Sequence, residues 1–540
     1  MGPVEHLHQA VRESAASLVG GDCALAAAVK LERPPRAELG DYSTNAALLL
    51  APRLESSPRE VAGRLGAALQ ARLGGALERT DVAGPGFLNL FVSDRWLIDA
   101  LGGVIAAGDR FGAAEFGAGE SINLEFVSAN PTGPIHIGHA RGAAYGDALG
   151  RLLSFRGCEV TREFYVNDYG SQVRKLGESV RALALGQPVP EGGYHGDYVA
   201  TLVPGERART LDIDELSREA LAACLAQIRV SLERFGVSFD VWFSERSLHE
   251  GGSVEAVLER LAELGETFSQ EGALWLRTTA RGDDRDRVLI RSDGQPTYFC
   301  SDIAYLENKR SRGFDRLVYV WGSDHHGYEP RMKAAWEALG GERDAVELIA
   351  FQFVHLVGGG GARTAMSKRE GEYVTLDELV ERVGVDAARW FLLARSHDTT
   401  VELDVELATR QSNDNPVYYV QYAHARIASM LAKLKPGRVE QALGALVAVE
   451  PLHPSERTLL KRLLAFPYDL AEAAERRAAH RVAASALEIA QEFTAFYRDC
   501  RVVGAEPYET ESLRIAIARA AQQTLATALG LLGVSAPEAM

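Results

Sequence analysis

The hydrophobic positions of this chain follow three successive patterns. Over residues 4–18 and 58–73 apolar side chains recur every three or four positions, which predicts amphipathic helices, and residues 82–92 form a turn followed by an alternating strand. From about residue 122, short apolar runs typical of strands alternate with helical runs, as in a parallel sheet covered by helices. From residue 411 onward only the helical spacing remains.

The central part of the chain predicts a βαβ unit with the usual right-handed crossover. Its strands are expected at 122–127 and 158–165, with a helix at 138–155 between them. An insertion of mostly amphipathic helix is expected at about 175–290. Further strands are predicted at 297–300, 317–321 and 351–357.

The C-terminal part is predicted to be a bundle of helices at 417–434, 456–464, 468–490 and 512–532. The fold class is therefore α/β: a Rossmann-like parallel-sheet domain with an insertion, flanked by a small α+β N-terminal domain and an all-α C-terminal domain. We expect the domains to span 1–112, 113–410 and 411–540, with a Gly/Ala-rich linker after the first.

The composition narrows the class of protein. A length of 540 residues fits three or four domains. The five cysteines are scattered without a C-x-x-C pair, which argues against a disulfide framework and a zinc knuckle, so no zinc is expected and a reducing cytoplasm is favoured. No apolar run is long enough to cross a membrane, and the N-terminus lacks the apolar core of a secretory signal, so no membrane association is expected.

The net charge of −16 is unusual for a protein that binds nucleic acid. A local basic face matters more than the total, however. Residues 437–540 contain 11 Lys and Arg against 13 Asp and Glu, a net charge of −2, so the remainder carries −14. This balance permits a basic face on the C-terminal part without demonstrating one.

Two histidines lie where the first predicted strand of the βαβ unit gives way to its helix. His136-Ile137-Gly138-His139, called here the histidine turn, follows the loop 130–134, whose Pro and Gly residues exclude helix and ladder. The free N–H groups at a helix start suit a phosphate, and Gly138 allows close approach to the backbone. The alternative is that these are ordinary surface histidines at a helix cap.

Other polar segments follow predicted strands or precede helices. Residues 364–371, called here the lysine loop, present a mobile cation, and Asn167, Asp168 and Gln172 follow the second strand of the βαβ unit. Carboxyl ends of parallel strands meet at one edge, so those three should lie beside the histidine turn, although Asn-Asp-x-Gly is also ordinary turn chemistry. The row 324–326, Asp-His-His, is not read as a metal site because no further ligand follows at a suitable spacing.

The histidine turn and the lysine loop, with Lys368, together resemble the HIGH and KMSKS motifs of class I aminoacyl-tRNA synthetases. The strings EFVSANPTGPIHIGHARGAAYGDAL and QSNDNPVYYVQYAHARI, the latter at 411–427, resemble arginyl-tRNA synthetases specifically. The resemblance extends from about Gly40 to the end of the chain. It implies ATP-dependent formation of arginyl-adenylate, then transfer of arginine to tRNA(Arg), with Mg²⁺ accompanying ATP. A cytoplasmic monomer is expected.

The resemblance also implies roles for individual residues in ATP binding. His136 and His139 would act on the α-phosphate and Lys368 on the departing pyrophosphate, and these three are the expected catalytic residues. The expected ATP-binding set is Pro134, His136, Gly138, His139, Gly322, Asp324, His355, Met366, Ser367 and Lys368. The KMSKS-like loop has Ala365 where the family normally has its first lysine; either Arg363 or Arg369 shares the transition-state charge, or the activation step is slower.

Arginine binding is assigned by the same resemblance. A guanidinium group needs planar carboxylate partners, and Glu125 and Asp302 are expected to supply them. Tyr298 would cap the guanidinium, while Asn130 and His326, with His136, would hold the α-amino and carboxylate end.

For tRNA, the family's N-terminal domain contacts the outer corner of the molecule, which makes Phe87 and Asn89 candidates for a base contact; the alternative is a docking domain without a ligand. The C-terminal domain would bind the anticodon. Its candidate residues are Arg476, Arg477, Arg481, Tyr497, Arg498 and Tyr508. The alternative for any single arginine is a surface ion pair within a helical bundle.

Two rival functions remain open at this point. Another class I synthetase, such as one for cysteine, is disfavoured by the lack of a zinc-type cysteine cluster and by the two carboxylates. A non-catalytic tRNA-binding paralogue would be expected to lose the histidine turn or Lys368, and both are present.

Overall fold

Helices and short antiparallel strands form the N-terminal part. The computed structural model describes residues 2–21, 28–34, 36–113, 119–357, 363–364, 374–444, 446–447 and 449–540. The first elements are α1 (Pro3–Leu18), β1 (Leu31–Glu32), β2 (Tyr42–Thr44), α2 (Ala46–Leu54), α3 (Pro58–Leu73), β3 (Leu77–Ala83), β4 (Phe87–Val92) and α4 (Asp94–Ala107). The strands pair antiparallel in the order β1-β2-β4-β3.

The start of α3 shows why its sequence predicts a helix so well. The Ser57 hydroxyl accepts the backbone N–H of Glu60, the Glu60 carboxylate accepts the N–H of Ser57, and Pro58 occupies the first helical position. The observed helix begins and ends at the predicted residues.

A five-stranded parallel sheet forms the centre of the molecule, in the order β12-β11-β5-β6-β7. Its elements and those inserted between them are β5 (Ser121–Phe126), α5 (Ile137–Phe155), β6 (Glu159–Val166), α6 (Ser171–Ala184), α7 (Asp197–Thr201), α8 (Gly205–Thr210), α9 (Ile213–Arg234), β7 (Val241–Ser244), α10 (Glu245–Glu250), α11 (Ser253–Glu263), β8 (Thr267–Gln270), β9 (Ala273–Leu276), β10 (Arg287–Ile290), α12 (Tyr298–Ser311), β11 (Arg316–Gly322), α13 (Glu329–Ala338) and β12 (Val346–Phe351). The predicted βαβ unit is confirmed as β5–α5–β6, and the α/β fold class is confirmed with it.

The strand order places a topological switch point between β5 and β11. Later strands add to one side of β5 through β6 and β7, and to its other side through β11 and β12. Ligands of open α/β sheets bind at the carboxyl ends of the strands that flank such a point. The histidine turn follows β5, and Gly322 ends β11.

Helix α5 packs unusually close to the sheet. A Cβ atom on Gly146 would lie 2.2 Å from the ring of Phe126, at the end of β5. Only glycine permits this approach, because real Cβ atoms do not come so near another side chain. Gly146 therefore sets the distance between the helix and the strand that together position the histidine turn.

The strand predicted at 297–300 is wrong. Thr297 precedes α12, and Tyr298 is the first residue of that helix. The strand of this region is β10, which pairs antiparallel with β9 and ends before the turn at 291–295. Tyr298 and Phe299 have high strand propensity, but the burial of Phe299 and Ile303 on the inner face of α12 overrides it. The segment read as an insertion also adds β7 to the main sheet.

A second small sheet lies beside the histidine turn. It contains β13 (Val354–Val357), β14 (Arg363–Thr364) and β15 (Val401–Asp404), in the order β14-β13-β15. Helices α14 (Leu376–Val383), α15 (Val385–Leu393) and α16 (Val405–Thr409) pack nearby. The single strand predicted at 351–357 is therefore divided: β12 ends at Phe351, and Gln352 donates its backbone N–H to the carbonyl of His397.

The C-terminal part is a helical bundle of α17 (Pro416–Leu431), α18 (Arg438–Gly444), α19 (Pro454–Glu475), α20 (His480–Asp499) and α21 (Tyr508–Leu532). The predicted division of helices near residue 466 is wrong, because α19 continues through Pro467. The helix break lies instead after Glu475, where Arg477 adopts a left-handed backbone with φ of 53°. Pro467 does not end the helix, because the burial of Leu463 and Phe466 next to it stabilises the continuous helix.

Helix α5 is held on one side by Arg389 of α15 and on another by the C-terminal bundle. Asp147 accepts the guanidinium of Arg389, which has no solvent exposure and also donates to the carbonyls of Phe235 and Leu532 at 3.1 and 2.9 Å. On another side of the helix, the Tyr145 hydroxyl donates to the carbonyl of Arg477. The helix that begins at the histidine turn is thus fixed by contacts with three other parts of the fold.

The N-terminal domain docks on α19. The carboxylate of Asp41 accepts the backbone N–H of Val92, the guanidinium of Arg457 and the ammonium of Lys461 at 2.8–2.9 Å. Arg457 also binds Asp94. These buried charges set the orientation of the N-terminal domain on the C-terminal bundle.

One of the described helices, α21, is long and apolar enough to cross a membrane by length and composition alone. Within its most apolar window, 72% of the residues are buried in the fold, as in the core helix of a soluble protein.

Replacing Arg389 with alanine is expected to destabilise the protein by roughly 3–5 kcal/mol, because the buried Asp147 carboxylate and two carbonyls lose a shared donor. Urea denaturation followed by circular dichroism measures the loss. The matched control is Arg95→Ala, which breaks an ion pair to Asp99 with both side chains 61% exposed. We expect a change of about 0–1 kcal/mol there, and equal losses in the two variants would contradict the role of Arg389.

Candidate active site

The histidine turn brings its two imidazoles together at the start of α5. His136 is the N-cap residue, with extended φ and ψ of −101° and 167°, and its Nδ1 accepts the backbone N–H of Gly138 at 3.1 Å. The rings of His136 and His139 stack with centroids 3.8 Å apart. A Cβ on residue 138 would lie 2.9 Å from the His136 ring, so glycine is needed for this arrangement.

The turn is held by the chain that follows the lysine loop. The Ile137 N–H donates to the carbonyl of Val374 at 3.0 Å, and the Leu376 N–H donates to the carbonyl of Ile135 at 2.8 Å. His136 and Thr375 form an antiparallel bridge between these bonds. The backbone pairing therefore joins the histidine turn to the segment that follows the lysine loop in the sequence.

A tyrosine of the inserted segment supports the loop before the turn. The hydroxyl of Tyr198 donates to the carbonyl of Thr132 at 2.8 Å, and burial raises the pKa of that hydroxyl to about 12. The donor therefore keeps its proton at neutral pH and holds the loop from outside the sheet.

Several carboxylates gather beside the turn, at the carboxyl ends of β5, β6 and β7. Burial raises the pKa of Asp302 to about 7; the Tyr328 hydroxyl, 3.3 Å away, opposes this effect, and the charge of Glu125 adds to it. Burial also raises the pKa of Glu245 to about 7, reinforced by the charges of Asp302 and Asp168. Asp302 and Glu245 therefore retain protons near neutral pH, and a cation bound between them would favour loss of those protons.

Glu125 differs from those two carboxyls because it has a buried cation of its own. The Nζ of Lys309 donates to Glu125 Oε2 at 2.7 Å, and the Ser128 hydroxyl donates to Oε1 at 3.2 Å. The expected partner of a guanidinium is thus already part of an ion pair.

Glu245 was missed by the sequence analysis, which read this part of the chain as an insertion. Asp168 accepts the Ser244 hydroxyl at 2.6 Å and the Arg246 backbone N–H at 2.9 Å, and these bonds flank Glu245. In the sequence, Glu245 can be recognised only as a carboxylate that directly follows a short apolar run. The pattern indicates a site residue only when β7 is known to belong to the main sheet.

The remaining arginine-binding candidates lie around this cluster. Tyr298 is 75% exposed and sits one helical turn before Asp302, so both lie on one face of α12. The Asn130 side-chain oxygen accepts the amide of Asn167 at 3.1 Å, which brings Asn167 to the loop as expected. Gln172 is exposed on α6. His326 lies in a short 3₁₀ helix after β11, and its side chain is outside the described part of the structure.

Of the ATP-binding candidates, Pro134 is exposed beside the turn, Gly322 ends β11, and His355 is half-buried in β13. Asp324 shares the short helix of His326. Met366, Ser367 and Lys368, with Ala365, lie outside the described residues. Among the residues that are described, no three His, Cys, Asp or Glu side chains form a group that could hold a metal ion.

The tRNA candidates fall into two groups. Phe87, Tyr497 and Tyr508 are 39%, 40% and 56% exposed. Asn89 is buried and accepts the Ser43 hydroxyl at 2.8 Å, so its side chain serves an internal contact.

Each arginine candidate has a carboxylate partner. Arg476 and Arg481 bind Glu472, and Arg498 binds Asp499, all with substantial exposure. Arg477 is different, because its side chain is 14% exposed and binds both oxygens of Glu347 on β12 at 2.8 and 2.9 Å. It joins the C-terminal bundle to the central sheet.

Comparison with known proteins covers nearly the whole chain. Residues 5–92 match the family of the arginyl tRNA synthetase N-terminal domain, residues 105–181 and 207–424 match the class I (R) tRNA synthetase catalytic domain, and residues 420–540 match the DALR anticodon-binding domain. The chain is 44% identical to arginine–tRNA ligase of Bacillus velezensis over 532 residues, and 45% identical to that of Geobacillus thermodenitrificans over 533. Both alignments cover 95% of this chain and 94% of the relative.

The same fold occurs in the solved structure of arginyl-tRNA synthetase from Thermus thermophilus. The TM-score is 0.79 at 23% identity, and the match covers 99% of this chain and 100% of that one.

Glu245 provides a test of the carboxyl cluster that needs no ligand. Its pKa is about 7 in the folded protein and about 4.3 when unfolded, so its contribution to stability is lost as pH rises from about 4 to about 7. Glutamine does not titrate. Relative to the wild type, Glu245→Gln should therefore gain melting temperature between pH 5 and pH 8.

The measurement is thermal denaturation of both proteins across that pH range, with Glu250→Gln as the control. Glu250 ends the same helix with its side chain 68% exposed, so its substitution should give a difference that does not change with pH. A flat difference for Glu245→Gln would mean that its carboxyl is not held protonated by burial.

Proposed function

The chain belongs to the arginyl-tRNA synthetase family, and from that premise we propose how its residues carry out the reaction. The reaction has two steps: arginine is activated with ATP to arginyl-adenylate with release of pyrophosphate, and arginine is then transferred to the 3′-terminal ribose of tRNA(Arg). The observation that supports the residue assignments is the stacked histidine pair at the start of α5, at the same carboxyl edge of the sheet as two carboxyls whose pKa burial raises to about 7.

In the first step the arginine carboxylate attacks the α-phosphorus of ATP, and the bond to the pyrophosphate oxygen breaks. The protein has to align the two anions and stabilise charge on the transferred group. His136 and His139 donate hydrogen bonds to the α-phosphate, and the start of α5 adds its backbone N–H groups. Gly138 and Pro134 shape the space for the nucleotide, and Gly322, Asp324 and His355 complete its site.

Lys368, with Met366 and Ser367, binds the departing pyrophosphate. Mg²⁺ enters as part of the ATP complex and needs few protein ligands. With alanine at position 365, Lys368 supplies the charge that the family's two lysines usually share. In the second step the 2′ hydroxyl of the terminal ribose attacks the carbonyl carbon of arginyl-adenylate, the acyl–phosphate bond breaks, and AMP leaves.

The guanidinium of arginine lies between Asp302 and Glu245. Each carboxyl releases its proton when the cation arrives, because the guanidinium supplies the positive charge that the buried site otherwise lacks. The Tyr298 hydroxyl caps the group from the same face of α12. Asn130 and His326, with His136, hold the α-amino and carboxylate end, and Glu125 supports this pocket through its ion pair with Lys309.

The three domains divide at about residues 112 and 410, and tRNA contacts all of them. Phe87 is the base contact proposed for the N-terminal domain, and Tyr497 and Tyr508 stack unpaired bases on the C-terminal bundle. Arg476, Arg481 and Arg498 exchange their carboxylate partners for phosphates. The enzyme acts as a cytoplasmic monomer.

Exchange of pyrophosphate into ATP tests the function and the pocket together. The wild type should support exchange with arginine and with no other amino acid of a panel, in the presence of tRNA(Arg). Asp302→Asn should lower kcat/KM for arginine by roughly 30-fold to several thousand-fold, since a buried charged hydrogen bond is lost and an amide N–H₂ faces a group made only of donors. The KM for ATP should barely change. Exchange with arginine at the wild-type rate would refute the pocket assignment.

His139→Ala should leave the fold intact and slow activation by roughly 10²–10³, the usual effect of removing one transition-state donor. The rate is measured by pyrophosphate exchange at saturating ATP and arginine. His195→Ala, which removes an exposed histidine of the inserted segment, is the matched control and should retain wild-type exchange. Near-normal exchange by the His139 variant would mean that the histidine turn is only structural.

A further inference from the structure

We infer that Lys309 is a positioning residue for arginine: through its ion pair with Glu125 beside the pocket it sets the pH range in which Asp302 can accept the substrate. This inference rests on the proposed function, because it concerns the amino-acid pocket of the same site.

Lys309 is a buried cation in the last turn of α12. It has no solvent exposure, and its Nζ donates to Glu125 Oε2 at 2.7 Å. The rings of Tyr305 and Tyr319 lie 4.3 and 4.1 Å from the same nitrogen. Burial lowers the pKa of Lys309, and the carboxylate of Glu125 and the two ring faces oppose that effect.

The other buried carboxylate near Lys309 already has separate partners. Glu163 accepts both nitrogens of the Arg312 fork at 2.6 and 2.9 Å, as well as the Tyr305 hydroxyl and the amide of Asn123. Lys309 therefore serves mainly Glu125. Arg312 and Lys309 form ion pairs with neighbouring residues of β6 and β5, and of the two carboxylates Glu125 is the one whose charge acts on Asp302.

The Lys309–Glu125 pair also supports the backbone that carries Asn130. The Ser128 hydroxyl donates to Glu125 and accepts the backbone N–H of Tyr165 at 3.0 Å. Val127 and Ser128 both have positive φ, 67° and 39°, which is costly for residues with side chains. The bond to Glu125 is one of the contacts that keep this turn in place, two residues before Asn130.

The electrostatic consequence falls on Asp302. Burial and the charge of Glu125 raise the pKa of its carboxyl, while the Tyr328 hydroxyl and Arg331 lower it. The ammonium of Lys309, bonded to Glu125 at 2.7 Å, opposes the field of that carboxylate. Without the ammonium, the charge of Glu125 acts on Asp302 unopposed, so Asp302 ionises only at higher pH. Arginine then binds less well at neutral pH.

The test is the pH dependence of kcat/KM for arginine in pyrophosphate exchange, with the KM for ATP measured in parallel. Lys309→Met keeps the length of the side chain and removes its charge. We expect arginine kcat/KM to fall about tenfold or more at pH 7, the midpoint of its rise with pH to move up by about one unit, and the KM for ATP to stay within about twofold.

Arg312→Met is the control, because it removes the neighbouring cation, whose side chain is 27% exposed, from the buried carboxylate of Glu163 rather than from Glu125. It should lower the melting temperature while leaving the arginine midpoint where the wild type has it. If both variants shift the midpoint equally, the effect is general destabilisation and the inference is wrong.

Two further variants decide the question should Lys309→Met not fold. Glu125→Gln with Lys309→Met removes both charges, so its midpoint should return to that of the wild type. Glu125→Gln alone leaves Lys309 positive, so its midpoint should move down. A midpoint that stays or rises in the single Glu125 variant overturns the inference, as does an unshifted midpoint in Lys309→Met.

The proposed function and the role of Lys309 can be refuted separately. If the wild type shows no arginine-dependent exchange, the proposed function is refuted. If the wild type exchanges with arginine and the midpoints do not move as stated, only the role of Lys309 is refuted.

Discussion

The salt bridge between Asp147 and Arg389 is the contact on which the arrangement of the domains depends. It lies on the body of α5, the helix whose first turn carries both histidines, and the same guanidinium holds carbonyls of Phe235 and Leu532. An arginine with no solvent exposure and three acceptors from separate parts of the chain is stable only while all of them are present. A shift of the histidine turn would therefore disturb the C-terminal bundle. Arg389 in this way couples the candidate active site to the anticodon-binding domain.

Buried charges in the site differ according to whether the protein supplies their partner. Glu163 and Glu125 have Arg312 and Lys309, whereas burial raises the pKa of Asp302 and of Glu245 to about 7. The two kinds of carboxyl therefore suit different roles. Glu163 and Glu125, which are paired with cations of the protein, support the sheet, whereas Asp302 and Glu245 are the carboxyls that a cationic substrate would pair with. A substrate with a guanidinium fits this arrangement, since one planar cation satisfies two carboxylates at once.

The elements predicted best from sequence were those whose signals are local. Helix α3 has a complete capping box, and the β5–α5–β6 unit alternates clearly between strand and helix spacing. The errors arose where distant contacts decide. Residues 298–300 have strand propensity but start α12, and α19 passes through Pro467. In the site, motif residues such as His136 and Asp302 could be named in advance, but Glu245 and Lys309 could not, because their significance depends on burial and on partners far away in sequence.

The arginines proposed for tRNA show how an acidic chain can still hold a polyanion. Arg476, Arg481 and Arg498 are paired with carboxylates in exposed positions, where such a pair is worth only about 0–1 kcal/mol. A phosphate can therefore replace the carboxylate at little cost. Arg477 is the exception, because its partner Glu347 lies on the central sheet and the side chain is mostly buried. Under the proposed function, tRNA phosphates would replace the carboxylates of the exposed pairs, whereas the buried pair of Arg477 and Glu347 would persist and preserve the contact between bundle and sheet.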